Sequence, residues 1–327
     1  MKAKGWKGCM VFGLLALGLI SPGLEGAQAA ELTTVRVTVP QRGNWDTTMA
    51  FVIGEREGIF AKEGIKLDIF YTKGGAENVQ PVITGNAEFG WANGTFGVFG
   101  AYDKGAKIKV VSASFTGVDL FWYVKADSPY KTFKDLAGKK VGYSTSGSST
   151  NLVVLRMAEL AGVKVQAVAV GGIPDSYTAF MTGQIASGWS VPPQRLDEVR
   201  KGTLRIIAPT ADFPELEGIT FRVNIANAEF LKKKPEVARA FFRAYQRAVD
   251  YNYEHTKAVI PEFAKLNKTS PEIAEDSLKF YPKRRLALAP VEGLAYQVEK
   301  AVEFGFLKKK LTSQQLADLV DLSYLPK

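Results

Sequence analysis

The sequence predicts an α/β protein built as two lobes of related architecture, and two observations carry that reading. From Val35 to about Ile207, short β-branched runs alternate with amphipathic stretches, the pattern of strand–helix layers with mainly parallel sheets. Within that span one motif occurs twice. Gly74-Gly75 is followed by Thr84-Gly85 and then Gly90-Trp91; Gly171-Gly172 is followed by Thr182-Gly183 and then Gly188-Trp189. Each copy reads as a glycine turn, a short helix, a glycine stop and a strand ending in Trp. The repeat implies that each lobe sends the carboxyl end of a strand towards a shared crevice, where ligands of open α/β sheets sit.

In chain order the predicted strands are Val35–Val39, Ile65–Tyr71, Glu88–Ala92, Lys107–Ser112, Leu120–Lys125, Lys140–Tyr143, Val163–Val170, Ala186–Trp189, Leu204–Ala208 and Ile219–Ile225. Helices are expected between them over Asp46–Lys62, Ala76–Thr84, Ser148–Ala161, Pro174–Thr182 and Pro192–Lys201. Beyond Gly218 the pattern becomes helical and charge-rich: Pro235–Glu254, Lys257–Leu266, Pro271–Tyr281, Val291–Phe304 and Ser313–Leu322. This last part carries 19 Lys+Arg against 13 Asp+Glu, with clusters at Lys232–Lys234, Lys283–Arg285 and Lys308–Lys310. Cations at helix ends suit the helix dipole. The basic runs are not interleaved with stacking aromatics, so no nucleic-acid partner is expected.

Composition narrows the chemistry. The 327 residues hold one histidine and one cysteine. Zinc sites, Ser-His-Asp triads, Cys-His dyads and iron–sulfur clusters all need residues that are nearly missing. Residues 1–29 read as an export signal: Lys2, Lys4 and Lys7, an apolar run from Met10 to Ile20, and the small-x-small site Ala27-Gln28-Ala29. The run is shorter than the roughly 20 residues that span a bilayer. Cleavage after Ala29 removes Cys9, three lysines and Glu25, which takes the formal charge from +9 to +7. A periplasmic location is expected, or the outer face of the cell membrane in another export system, with stability coming from packed cores and not from disulfides.

Hydroxyl- and glycine-rich turns before helices are the main binding signal. Thr145-Ser146-Gly147-Ser148-Ser149-Thr150-Asn151 follows a predicted strand and opens a helix, and one N-cap does not need so many hydroxyls. Gly43-Asn44-Trp45-Asp46 and Asn93-Gly94-Thr95 occupy the same context. Asp46, Glu77 and Asp175 each stand near a helix start, where capping accounts for them. Trp45, Phe96, Phe115, Trp122 and Trp189 fall near strand ends, a set from which one or two walls of a pocket are expected. The lone His255 lies late in a charged helix and reads as solvated. No nucleophile–base pair, nucleotide-binding loop or metal motif is present in the sequence, so neither catalysis nor a cofactor is expected.

Ordered motifs also resemble a known family. The runs are FVIGEREGIFAKEGI from Phe51 to Ile65, Gly85-Asn86-Ala87-Glu88-Phe89-Gly90, Val124-Lys125-Ala126-Asp127-Ser128-Pro129, KDLAGKKV from Lys134 to Val141, and Pro192-Pro193. Together they look like the nitrate/sulfonate/taurine-type periplasmic substrate-binding proteins. The resemblance implies the type II periplasmic-binding-protein fold, with lobe one at 30–115 plus 220–327 and lobe two at 116–219. Hinges would lie near Ser114–Gly117 and Phe213–Ile219. Carried over by position, the ligand contacts would be Asn44, Trp45, Asp46, Asn93, Gly94, Thr95, Phe115, Ser146, Gly147, Ser148, Ser149, Trp189 and Pro192. The implied role is that of a monomeric binding protein handing a small molecule to the permease of an ABC importer; a sensory binding protein is the rival. Yeast pyrimidine-precursor synthases share the family's domain, and porphyrin-pathway deaminases have a related fold, but both depend on cysteines, so an enzyme is disfavoured. The sequence departs from the family at Ala186, where an acid is usual, while Glu88 keeps it. Arginines near the expected cleft are few (Arg42, Arg195 and Arg222), so the sulfonate-like ligand suggested by the family competes with a pyrimidine or an aromatic carboxylate.

Overall fold

A computed structural model describes residues 31–209 and 212–327; the segment read as an export signal, with Cys9, lies outside them. Among the described residues ten strands form: β1 (Thr33–Pro40), β2 (Ile65–Thr72), β3 (Phe89–Gly94), β4 (Ile108–Phe115), β5 (Phe121–Lys125), β6 (Lys140–Tyr143), β7 (Gln166–Ala169), β8 (Gly188–Ser190), β9 (Leu204–Ala208) and β10 (Arg222–Asn227). Each grows from one of the β-branched or aromatic runs in the sequence, which pack well on a pleated surface.

The first sheet has the order β2-β1-β3-β10-β4, with β1–β3 parallel and β10 antiparallel to both neighbours. In the second half β8-β5-β9 and β6-β7 are linked by a parallel bridge between Val141 and Ser187, which gives β7-β6-β8-β5-β9. The two orders correspond strand for strand. Trp91 on β3 and Trp189 on β8 occupy equivalent central strands, so the repeated glycine–tryptophan motif of the sequence is a repeat of topology.

Helices cover both sheets. The longest, Pro235–Glu254, has Pro at its first position and Glu236 in its first turn. Its buried face runs through Ala238, Phe241, Phe242, Tyr245, Ala248 and Val249, the spacing of one helical stripe. That stripe lies on the first sheet, where Phe241 stacks on Phe89 at 4.3 Å and Trp91 meets Tyr245 at 4.4 Å. A second core joins the two halves, with Phe96 and Val98 in one cluster with Leu152, Val153 and Met157.

Three expectations are corrected. The predicted Asp46–Lys62 helix is broken into a π-turn at Trp45–Met49 and helices at Ala50–Arg56 and Ile59–Lys62, separated by a turn at Glu57-Gly58. The helix expected from Pro192 begins only at Leu196, because Arg195 stands at φ 69 and interrupts the helical path. Asp46 is not a cap. It sits inside the π-turn, makes no capping bond and turns to an arginine of β10. Asp175, by contrast, does accept the Gly172 N–H at its helix start, and Glu77 accepts the Lys73 N–H. Glu88, the acid kept from the family pattern, is consumed by Arg36, whose backbone and guanidinium both donate to it.

Candidate functional site

Sheet register builds the centre of the site. β10 lies between β3 and β4, so its first residue, Arg222, stands opposite Gly94 on one side and Phe115 on the other. The guanidinium lies over the Phe115 ring, 4.8 Å from its centroid. Its Nη2 donates to Asp119 Oδ1 at 2.8 Å and stands 3.2 Å from Asp46 Oδ2. All three charged side chains are buried, Asp46 completely.

Two carboxylates on one guanidinium leave one negative charge uncompensated when both are ionised. Burial therefore pushes the Asp46 carboxyl up to about 7, partly opposed by Arg222 and reinforced by Asp119. The N–H groups of its own turn offset this only weakly. Burial would lower Arg222, but Asp119 and then Asp46 hold it above its usual value. Along the turn Asn44 Oδ1, both Asp46 oxygens and Thr47 Oγ1 are buried without a hydrogen-bond partner in good geometry, and so is Asp119 Oδ2. Leaving one such group unpaired costs about 1–3 kcal/mol, and more when it is charged. This density of unpaired polar atoms makes the turn and its partners the candidate site. Tyr245 holds the turn in place, its hydroxyl donating to the Asp46 backbone carbonyl at 3.1 Å. Trp45 is clamped edge-on between Tyr253 and Phe263.

The two halves meet over this centre. The Gly97 N–H donates to the Gly147 carbonyl at 3.0 Å. Gly94 presses its backbone on the same turn: a Cβ there would stand 2.4 Å from Gly147 O and 2.5 Å from Ser149 N, so only glycine fits. On the opposite side Tyr281 donates to the Pro192 carbonyl at 2.6 Å, and Gln194 donates to Asn267 Oδ1 at 2.7 Å. Asn267 in turn donates to the Gly43 carbonyl. At the rim Lys73 and Asp175 form an exposed pair at 3.8 Å.

The structure thus brings Asn44, Trp45, Asp46, Gly94, Gly147, Phe115 and Pro192 to one region. Other expected contacts serve elsewhere. The Asn93 amide donates to the Gly90 and Val223 carbonyls, and Thr95 donates to Gln297. Ser148 caps its helix by accepting from Asn151 N, and its hydroxyl closes a ring with Ser144 and Thr150. Ser149 is buried at the first turn, where its N–H faces Gly94, while Ser146 is exposed. Trp189 is buried with its indole N–H unpaired. Of the other aromatics, Trp122 donates to the Gly142 carbonyl and Phe96 packs on Phe306, both in the core. His255 is exposed and stacked on Tyr251.

Asp119 and Tyr281 lie outside the contacts the sequence predicts, and Arg222 stands there only as one of few arginines near the cleft. The signal available was local: Arg222 between Phe221 and Val223, and Asp119 between Val118 and Leu120, are charges set in apolar runs. Such positions are buried, and a buried charge requires a partner.

A family model described as NMT1/THI5 like matches residues 45–258. The chain belongs to the NMT1/THI5-like family. Among curated relatives of this family member, the 4-amino-5-hydroxymethyl-2-methylpyrimidine phosphate synthase THI12 of Saccharomyces cerevisiae is 23% identical over 235 residues. That alignment covers 64% of this chain and 65% of the synthase, so the chain spans just under two thirds of its length. The putative binding protein YtlA of Bacillus subtilis is 23% identical, with 71% of each chain covered. Among solved structures, the alkanesulfonate-binding protein SsuA from Xanthomonas axonopodis pv. citri, bound to MOPS, superposes with a TM-score of 0.76 at 16% identity, covering 90% of this chain and 99% of that one. The NMT1/THI5-like chain therefore has the periplasmic-binding-protein fold, as the motifs implied.

Proposed function

We infer that the protein is the solute-capturing component of an ATP-driven importer. Exported from the cytoplasm, it takes a small organic molecule between lobes formed by 30–115 with 220–327 and by 116–219, and its closed form is the surface a membrane permease reads. The observation that carries this is the meeting of Gly94 with the Gly147–Ser149 turn above a floor of buried, unpaired polar atoms. An enclosed solute with N–H or O–H donors would supply the hydrogen bonds this floor lacks. The non-enzymatic reading is supported by the placement of the single histidine on an exposed helix end.

The ligand reading shifts from the sequence's first choice. A sulfonate is best held by a guanidinium with free N–H donors, and Arg222 is already engaged by Asp119 and Asp46. Arg195 pairs with Glu198 and stacks on Tyr177, while Arg42 lies over Tyr71 at the surface. A pyrimidine is the second reading, supported by unpaired acceptors along Asn44–Thr47 and by the name of the yeast relative.

The test is to purify the protein from periplasm under native conditions and extract it for mass spectrometry. A stoichiometric small molecule is expected. Its removal by partial unfolding and refolding should raise the radius of gyration in small-angle scattering, and re-addition should reverse the change. Finding no such molecule, and no compaction by any solute from a periplasmic extract, would sink the reading.

A further inference from the structure

The charge of the site points to the charge of its occupant. This inference rests on the solute-capture reading and concerns the same cleft. Asp46, Asp119 and Arg222 sum to −1 when both carboxylates are ionised, and the two acids are 0% and 1% exposed at their side chains. Three buried acceptor oxygens lack a hydrogen-bond partner in good geometry, Asn44 Oδ1, Asp46 Oδ1 and Asp119 Oδ2, and Asp46 Oδ2 has only the Arg222 guanidinium at 3.2 Å. An anion entering here would bring the buried sum to −2 and offer those acceptors no protons. A neutral molecule would leave the carboxylate charge unpaired in a low-dielectric site. A cation brings the sum to zero, two positive groups against two negative ones, and its N–H groups can donate to acceptors that are unpaired or held only by Arg222. A flat, forked donor is the best match, since two parallel N–H groups satisfy both oxygens of one carboxylate.

We propose that the cleft binds a cationic solute bearing an amidinium or guanidinium group, whose paired N–H donors engage the Asp46 carboxylate. Other groups facing Asp46 are Arg222 from β10, Asp119 from the connection after β4, Tyr245 and Tyr253 from the Pro235–Glu254 helix, and Tyr281. The tyrosines are all pushed above their ordinary value by burial, and Arg222 stays charged, so Asp46 is the group that titrates near neutrality.

The experiment uses the mature protein freed of co-purified solute, with benzamidine, methylguanidine and agmatine as cationic probes. Methanesulfonate and nitrate serve as anions, and 4-amino-2-methylpyrimidine, read at pH 8 where it is unprotonated, serves as the neutral donor. Melting temperature is followed first, then calorimetry. At least one cationic probe should bind, and its affinity should fall at least tenfold from pH 8 to pH 5.5, where the probes keep their charge and the protein carboxylate does not. Asp46→Asn, checked for folding by circular dichroism, should weaken that probe at least tenfold; the pH profile of the unmodified protein tests the same point without a variant. Binding of an anion or only of the neutral probe overturns the charge assignment and leaves solute capture standing. A cationic probe whose affinity is insensitive to pH and to Asp46→Asn overturns it as well, as does binding by none of the cationic probes while the periplasmic solute still compacts the protein.

Discussion

The Tyr281 hydroxyl donates to the Pro192 carbonyl at 2.6 Å while the Tyr281 ring stands edge-on to Phe115, 6.1 Å between centroids. One side chain therefore touches the floor of the cleft and ties down the loop after β8. Tyr281→Phe keeps the ring and orphans the carbonyl, at a cost of about 1–3 kcal/mol. The expected outcome is a melting temperature lowered by roughly 2–10 °C for a chain of this size. Scanning fluorimetry measures it; an unchanged Tm would mean the bond is not made in solution.

Gly94→Ala tests the meeting of the halves. The added methyl points into the backbone of Gly147 and Ser149, which cannot swing aside as a flexible side chain would. The variant should keep its circular dichroism spectrum, show a larger radius of gyration in small-angle scattering than the parent protein with solute bound, and bind its native solute at least tenfold more weakly. A variant as compact and as tight as the parent would remove this contact from the closing mechanism.

Asp46 gives stability a pH dependence of definite sign. Its folded pKa of about 7 lies above its ordinary unfolded value of about 3.9. Between those values the folded state holds a proton that the unfolded state has lost, so stability contributed by this group falls as pH rises from about 4 to about 7. Thermal melts of solute-free protein from pH 5 to pH 8 should show a declining Tm, and the decline should be shallower in Asp46→Asn. Parallel curves for the two proteins would contradict the raised pKa.

Ser148→Ala separates capping from ligand contact. Loss of the cap and of its place in the Ser144–Thr150 hydroxyl ring should lower stability by about 1 kcal/mol. Denaturant titration reads that change, while calorimetry with the native solute should show an affinity within threefold of the parent. A large loss of affinity without loss of stability would restore Ser148 as a ligand contact, as its hydroxyl-rich turn suggests.

Strands were the most legible part of the sequence, because a short β-branched run between turn residues has few other uses. All ten predicted runs carry a strand, and the glycine–tryptophan repeat foretold the matching strand orders. Helix boundaries were less legible where a single turn intervened, as at Glu57-Gly58 and at Arg195. At the site, the backbone turns could be read from glycine and hydroxyl spacing. The Asp46–Arg222–Asp119 cluster could not, because its members are separated by 73 and 103 residues and meet only through the pairing of β10 with β3 and β4. Ser148 and Thr95 show the converse difficulty: a hydroxyl at a helix start suits a ligand, a cap or a packing contact equally well, and here Ser148 accepts from Asn151 N while Thr95 donates to Gln297.

The position of β10 also sets where along the chain each sheet has all its strands. Every strand of the second sheet lies between Phe121 and Ala208, so that sheet is complete in sequence before β10 begins at Arg222. The first sheet, though it holds the amino-terminal strands, keeps a gap between β3 and β4 until Arg222–Asn227 has emerged. A chain growing from its amino terminus therefore waits with two hydrogen-bonding edges open, and the residue that leads the closing strand is Arg222. The strand that fills this gap carries that guanidinium between its two acids, so the segment that completes the first sheet also completes the candidate binding site.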